Sequence, residues 1–373
     1  MSAAGVARAR CASMIAQICR QHHCQDTKRW FQSIPVVDVG SLVREEKAVS
    51  DVAQQLHKAC HEVGFFYVAN HGVPAQTCQK VLQEAHAWFA LPELTKRQIL
   101  IRPDTHYRGY QQLGANVTRY EDGYQRDWHE AIDLYREQSP QVSPASPIHG
   151  PNQWPTQRPT FDTALREYID NMLHLGQHLM RGIAMGLGLP QSFFEGQRSG
   201  RDQSYWCTRV IHYPPLAEGT SHRKREGGIR EAAAAAVQGA EVERSVQLSC
   251  GEHTDYGLLT LVNQDPHVSA LQVKNQQGQW ISADPIPGTF VCNIGDMLKV
   301  WSNGLYKPTP HRVINADPSQ SRVSIPFFYE PCYEAIVEPP VALLNKLGKR
   351  LQQHTSVRYG SHLEGKVLNN FEL

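Results

Sequence analysis

Two clusters of residues in the C-terminal half of this 373-residue chain have the types and spacing to do chemistry. The first is His253-Thr254-Asp255, answered far downstream by His311 in Thr309-Pro310-His311-Arg312-Val313. Residues two apart on a strand point to the same face, so an imidazole at 253 and a carboxylate at 255 can turn toward one point. Two imidazoles and one carboxylate form a ligand set that leaves a divalent iron with open positions on one side. The second cluster is Arg322-Val323-Ser324, which begins eleven positions after His311. A guanidinium offers a planar fork of donors matched to a carboxylate, and the neighbouring hydroxyl adds one more. In this order the two clusters suggest iron(II) chemistry driven by an organic-acid co-substrate. His57, His61, His71, His86, His129, His174 and His267 lack such partners in sequence and are expected on the surface or satisfied in the core.

Positioning these groups calls for strand ends that converge. From Tyr205 onward, short β-rich runs recur at 206–213, 258–263, 271–274, 289–294, 298–301, 312–315 and 322–329. Gly278, Pro287-Gly288, Gly295-Asp296 and Asn303-Gly304 punctuate them, which predicts a double-sheet jelly roll. His311 then opens one strand and Arg322 another. The first half reads differently. A β-branched run at 34–38 precedes a helix from a Ser50 N-cap to about Val63, with Val52, Leu56, Ala59 and Val63 on one face. The strand Phe65-Phe66-Tyr67-Val68 ends at Asn70-His71-Gly72, and helical spacing returns over about 75–91. A long helix over about 161–187 carries Leu165, Ile169, Met172, Leu175, Leu179 and Ile183 as one apolar stripe, closed by Gly188 and Pro190. The expected class is mixed α and β: a jelly-roll core buttressed by N-terminal helices and one long helix. The expected organisation is a flexible extension at 1–33, a helical subdomain at 34–204, a catalytic core at 205–339, and a C-terminal helix and tail at 340–373. A proline-rich stretch at 138–159 is expected to run over the surface. A low-complexity insertion is expected at about 217–247, where an alanine run and His222-Arg223-Lys224-Arg225 offer little apolar surface to bury.

Composition narrows the class of function. Hydrophobic residues make up 41% and charged residues 20%, ordinary for a globular protein, and the formal net charge of +1 gives no field for nucleic acid or an anionic membrane. No apolar run approaches the roughly 18 residues a membrane-spanning helix needs. Nine scattered cysteines without a Cys-x-x-Cys read as reduced thiols, not as a zinc cage or disulfide framework. A cytoplasmic monomer acting on a small molecule is therefore expected. Residues 1–25, with Arg8, Arg10 and Arg20 and no acidic residue, are read as a disordered extension, an organellar transit peptide being the alternative.

The chain resembles the isopenicillin N synthase-like branch of the iron(II)/2-oxoglutarate-dependent oxygenases. The resemblance runs from Ile34 to Pro339 through Ile34–Asp38, Gly64-Phe65-Phe66-Tyr67-Val68-Ala69-Asn70-His71-Gly72, Tyr213-Pro214-Pro215, His253-Thr254-Asp255-Tyr256-Gly257, Asn293-Ile294-Gly295-Asp296, His311-Arg312-Val313 and Arg322-x-Ser324. It implies a distorted double-stranded β-helix core, with ferrous iron held by His253, Asp255 and His311. It implies further that Arg322 and Ser324, with Tyr213, bind 2-oxoglutarate. Oxidative decarboxylation of that co-substrate by O2 to succinate and carbon dioxide would drive hydroxylation, desaturation or ring closure of a small metabolite. Where many plant members carry Asn-Tyr-Tyr-Pro-Pro, this chain has Ile211-His212-Tyr213-Pro214-Pro215, and the insertion at 217–247 replaces a short connection. Tyr110, Asn116, Trp128 and Phe328 are the candidates to line the substrate pocket. The low polarity of Leu259, Leu261, Phe327 and Phe328 is expected to keep it dry. Isopenicillin N synthase uses no 2-oxoglutarate and holds its substrate's own carboxylate with the matching arginine and serine, so an iron oxidase of that kind is the alternative. A non-catalytic binding protein on the same scaffold is a third reading, and the intact His253, Asp255, His311 and Arg322 argue against it.

Overall fold

The computed structural model of the chain describes residues 33–46, 49–120, 123–141, 145–215, 249–314, 317, 319–347 and 356–370. The expected N-terminal extension, Ser33 apart, and the insertion at 217–247 lie outside the described residues. Of the sixteen strands within them, the first fourteen carry the architecture. Those before residue 205 are β1 (Val36–Asp38), β2 (Phe65–Ala69), β3 (Gly109–Gln111), β4 (Val117–Tyr120), β5 (Gly123–Arg126) and β6 (Glu130–Tyr135). Those after it are β7 (Cys207–Tyr213), β8 (Cys250–His253), β9 (Leu259–Gln264), β10 (Leu271–Lys274), β11 (Trp280–Ser282), β12 (Thr289–Ile294), β13 (His311–Val313) and β14 (Arg322–Tyr329).

An eight-stranded sheet runs in the order β1-β2-β12-β9-β14-β7-β6-β3, and a four-stranded sheet in the order β11-β10-β13-β8. The larger sheet takes four strands from each side of residue 205, so helices and jelly roll share one framework. Strand alternation divides its residues between two cores. On β14, Val323, Ile325, Phe327 and Tyr329 enter the larger core beneath the helices. A smaller core lies between the sheets and includes Ile211, Tyr213 and Val291 of the large sheet and Leu271, Val273 and Val313 of the small one. Arg322, Ser324 and Phe328 belong to that second, inner side.

The helical layer is built from α1 (Val49–Glu62), α2 (Ala75–Phe89) and α3 (Pro159–Gly186). Helix α3 buries Leu165, Ile169, Met172, Leu175, Leu179 and Ile183, the stripe read from sequence. Both α1 and α2 pack on α3, and α3 packs on β14. The Tyr168 hydroxyl donates to the Ile325 carbonyl at 3.2 Å and ties helix to strand. Gly176 permits the close approach, since a Cβ there would enter the Tyr329 ring.

Some expectations are corrected. The run 298–301 is not a strand but part of α4 (Asp296–Trp301), which starts after Gly295 and buries Met297, Leu298 and Trp301 at helical spacing. Asp296 in its first turn favours the helix through the dipole. The proline-rich stretch does not merely skirt the surface, for Ile148 and His149 are wholly buried. The buried Arg108 guanidinium anchors it, donating to the Ile148 carbonyl at 2.9 Å and the Asn152 side chain at 2.6 Å. The six described cysteines are free, and among the described residues no helix is long and apolar enough to cross a membrane.

Helix propensity alone says that Gly176→Ala stabilises the protein by about 1 kcal/mol. The Tyr329 contact says the reverse: overpacking should cost about 1–3 kcal/mol and lower Tm. A thermal melt that rises in this variant would refute the close packing of α3 on β14.

Candidate active site

Strands β8 and β13 pair antiparallel with His253 opposite His311, and the ring centroids lie 4.3 Å apart. Asp255 follows the end of β8, and its Oδ1 is 3.7 Å from Nε2 of each histidine. Both rings are turned by their other nitrogen: Nδ1 of His253 is 2.8 Å from the Gly251 carbonyl and Nδ1 of His311 is 3.2 Å from that of Thr309. A carbonyl only accepts, so each Nδ1 carries a proton and each Nε2 is the nitrogen turned to the common point. The second carboxylate oxygen is taken separately. Asp255 Oδ2 accepts from Asn293 Nδ2 at 2.7 Å and from the Thr260 hydroxyl. Asn293 on β12 and Thr260 on β9 are register partners, so one cross-strand pair supplies both donors.

Burial works against the charge on Asp255, yet the two imidazoles and these two donors hold its carboxyl below the usual range. Burial, with His253 alongside, pushes His311 down to about 4, which keeps the imidazole neutral as a metal ligand must be. Ligand atoms of the three side chains lie within 4.8 Å of one another, and among the described residues this is the one such group. The set contains no thiolate and leaves one side open, which suits iron(II).

The second cluster is equally defined. Arg322 is 1% exposed, and among the described residues no carboxylate pairs with it. Its Nη2 donates to Gln264 at 2.7 Å and its Nη1 reaches the Ser324 hydroxyl at 3.3 Å, while Nε has no partner. The guanidinium lies 5.0 Å from the centre of the Tyr213 ring, and Tyr213 is its register partner on β7. Burial pushes the Tyr213 hydroxyl up to about 12, against the opposing pull of Arg322 and a hydrogen bond with Ser324. A buried guanidinium without a counter-anion is costly, so the arrangement fits an anionic ligand. Thr260, Gln264, Ser324 and Arg322 lie on one face by alternation and pairing, which puts the anion receptor on the same inner face as the Asp255 donor.

Two family models match the chain: the N-terminal domain described as that of the non-haem dioxygenase in morphine synthesis, at residues 34–157, and the 2OG-Fe(II) oxygenase superfamily, at residues 207–331. The chain is 42% identical to homoarginine-6-hydroxylase 2-ODD-C23 of Glycine max over 351 residues, covering 91% of this chain and 98% of the relative. Identity to homoarginine-6-hydroxylase 2-ODD-233 of Oryza sativa subsp. japonica is also 42%, with the same coverage. Among solved structures, a full-length Neurospora crassa protein in complex with alpha-KG is similar at a TM-score of 0.72 and 25% identity, covering 91% of this chain and 100% of that one. The chain belongs to the 2-oxoglutarate/iron(II)-dependent oxygenases. It is an oxidoreductase whose cofactors are iron(II) and 2-oxoglutarate, and the double-stranded β-helix core expected from sequence is the one its structural relatives share.

The four pocket candidates of this oxygenase do not fall together. Tyr110 lies in the larger core, edge-on to Trp88, its hydroxyl shared between Glu93 at 2.9 Å and Glu130 at 2.5 Å. Its neighbour Gln111 is the residue of β3 that turns inward, opposite Ala131. Leu259, Leu261 and Phe327 likewise face the helices, and Phe328 alone of that apolar group is on the inner side, opposite Thr260. Trp128 is half-buried with its ring nitrogen unpartnered. Asn116 does join a buried polar cluster. It donates to Asp127 and meets Arg209 at 3.5 Å, and Asp127 also accepts from the Gly251 amide at 3.2 Å.

Sequence reasoning missed Thr260, Gln264, Arg209 and Asp133, and Asn293 as the donor to Asp255. Asn293 lay within a motif already noted, and the phase of Thr260 between Leu259 and Leu261 was readable, but nothing in the spacing aimed either at Asp255. Removing a donor behind a metal ligand typically costs roughly 10–100-fold in metal affinity. Asn293→Ala should therefore weaken cobalt(II) or anaerobic iron(II) binding by that order in calorimetric titration, with the fold retained. Unchanged affinity would show that Thr260 alone orients Asp255.

Proposed function

We propose that this oxygenase hydroxylates a free basic amino acid of the homoarginine kind. Iron(II) would be held by His253, Asp255 and His311, and 2-oxoglutarate by Arg322, Ser324 and Tyr213. The observation that carries the substrate is the 42% identity to homoarginine-6-hydroxylases across nearly the whole of both chains. The inner face supports it: Arg209, Asp133, Asp127, Gln111 and Asn116 make it polar and charged, unsuited to an apolar hormone or terpenoid. We read the enzyme as a cytoplasmic monomer without a nucleic-acid partner, in line with its net charge of +1.

When bound, iron and 2-oxoglutarate supply oxidative decarboxylation by dioxygen, giving succinate, carbon dioxide and one hydroxyl group on the substrate carbon. The chain's own residues supply position and polarity. Gly251 and Thr309 fix the imidazole tautomers through their carbonyls. Thr260 and Asn293 restrain one oxygen of Asp255, so that only the other points at the metal. Arg322, with no counter-anion among the described residues, takes the distal carboxylate of 2-oxoglutarate, and Ser324 adds a donor. Phe65, edge-on to the His311 ring at 5.2 Å, keeps water from that side of the site.

Incubation with iron(II), 2-oxoglutarate and L-homoarginine should release one succinate per hydroxylated amino acid, read by mass spectrometry against a panel of amino acids. Alanine at His253, Asp255 or His311 should abolish turnover, and full activity in His311→Ala would exclude it as a ligand. Arg322→Lys keeps the charge but loses the fork, so KM for 2-oxoglutarate should rise by about tenfold or more, equivalent to about 1.4 kcal/mol. Turnover without 2-oxoglutarate would instead favour the oxidase reading, with Arg322 on the substrate's own carboxylate.

A further inference from the structure

The inner face holds a second guanidinium whose setting differs from that of Arg322. Arg209 lies on β7 two residues before Ile211 and four before Tyr213, on the same side of the strand as both. Its register partner on β6 is Asp133. Nε of Arg209 is 3.1 Å from Asp133 Oδ1, an ion-pair contact in which neither atom makes a hydrogen bond, and Nη2 donates to the Gln111 side-chain carbonyl and, at 3.5 Å, to that of Asn116. Among the described residues Nη1 makes no hydrogen bond. The pair is also asymmetric in burial: Asp133 exposes 4% of its side chain, Arg209 21%.

Charge is therefore balanced from behind, while one end of the guanidinium fork stays open. A chain of hydrogen bonds connects this group to the metal strand: Arg209 to Asn116, Asn116 to Asp127, and the Gly251 amide to Asp127, two residues before His253. Arg209 is thus held beside the site, oriented by neighbours and open toward a ligand.

Resting on the amino-acid reading above, we infer that Arg209, backed by Asp133 and oriented by Gln111, is the receptor for the carboxylate of the amino-acid substrate. The two arginines then divide two carboxylates. Arg322, with no acidic partner among the described residues, takes the doubly charged co-substrate. Arg209, already neutralised by Asp133, takes the carboxylate of a substrate that carries its own positive charges. The pair becomes a filter for amino acids over the corresponding amines.

The test compares L-homoarginine with its decarboxylated amine, which differs only in the carboxylate. Wild type should prefer the amino acid in kcat/KM, and Arg209→Gln should reduce that preference by at least about tenfold, chiefly through KM for the amino acid. Arg209→Lys, which keeps the charge opposite Asp133, should recover part of it and guards against a folding defect in the glutamine variant. KM for 2-oxoglutarate, measured in parallel, should move by less than about twofold. If both variants lose amino acid and amine equally, or lose 2-oxoglutarate affinity, Arg209 is structural and the assignment falls. If wild type hydroxylates homoarginine and Arg209→Gln keeps the full preference, the assignment falls while the substrate reading stands. A wild type that consumes 2-oxoglutarate with neither compound overturns both.

Discussion

A carboxylate as buried as that of Asp255 stays charged only because its two oxygens are given different work. One is saturated by Asn293 and Thr260; the other faces two imidazole nitrogens and the place for a cation. The two imidazoles and the two donors each come from a different strand. Strands β8 and β13 bring the histidines side by side, while β9 and β12 bring the donors opposite one another. The loop after Asp255 is stitched to α4, since the Asp296 amide donates to the Asp255 carbonyl at 2.8 Å and the Gly295 amide to that of Leu258 at 2.9 Å. The jelly roll is in this sense the device that lets four strand segments meet at one carboxylate.

The helical layer serves the same end at a distance. Alternation gives each strand of the large sheet one apolar face for the helices and one face for chemistry. On β14 the first is Val323, Ile325, Phe327 and Tyr329, pressed under α3; the second begins with Arg322 and Ser324. Burying the apolar face fixes the register, because a slip of one residue would put Arg322 into the helical core and Val323 into the site. Stability and site geometry are thus enforced by the same packing, and Gly176, which admits Tyr329, belongs to both.

Counter-charge separates the two inner-face arginines more than position does. Arg322 is enclosed and, among the described residues, has no carboxylate beside it, which suits a bound anion. Arg209 faces Asp133 and, among the described residues, has no hydrogen bond at Nη1. Such a division fits the proposed pairing of an amino-acid substrate with 2-oxoglutarate.

The sequence by itself determined the chemistry and the periodicities. His253, Asp255, His311, Arg322 and Ser324 were legible because ligand type and spacing survive without coordinates, and the stripe of α3 was legible because a helical face repeats locally. The strands at 271–274, 289–294 and 322–329 were readable for the same reason, since each is a short β-rich run closed by turn residues. Strands β3 to β6 were not, being short and polar in part: β4 and β5 pair only with each other, and β6 pairs with β7 far along the chain. The stretch at 298–301 misled because β-branched and aromatic residues also fill a short buried helix once Gly295 and Asp296 start it. What only the tertiary structure decided was which side of each strand faces the site. Tyr110 and Leu259 were expected at the site but face the helices, whereas Gln111 and Thr260, one residue away and not singled out from sequence, face inward. A periodicity of two states that alternate neighbours part company; it does not state which set meets the metal, because that depends on contacts between strands remote in sequence.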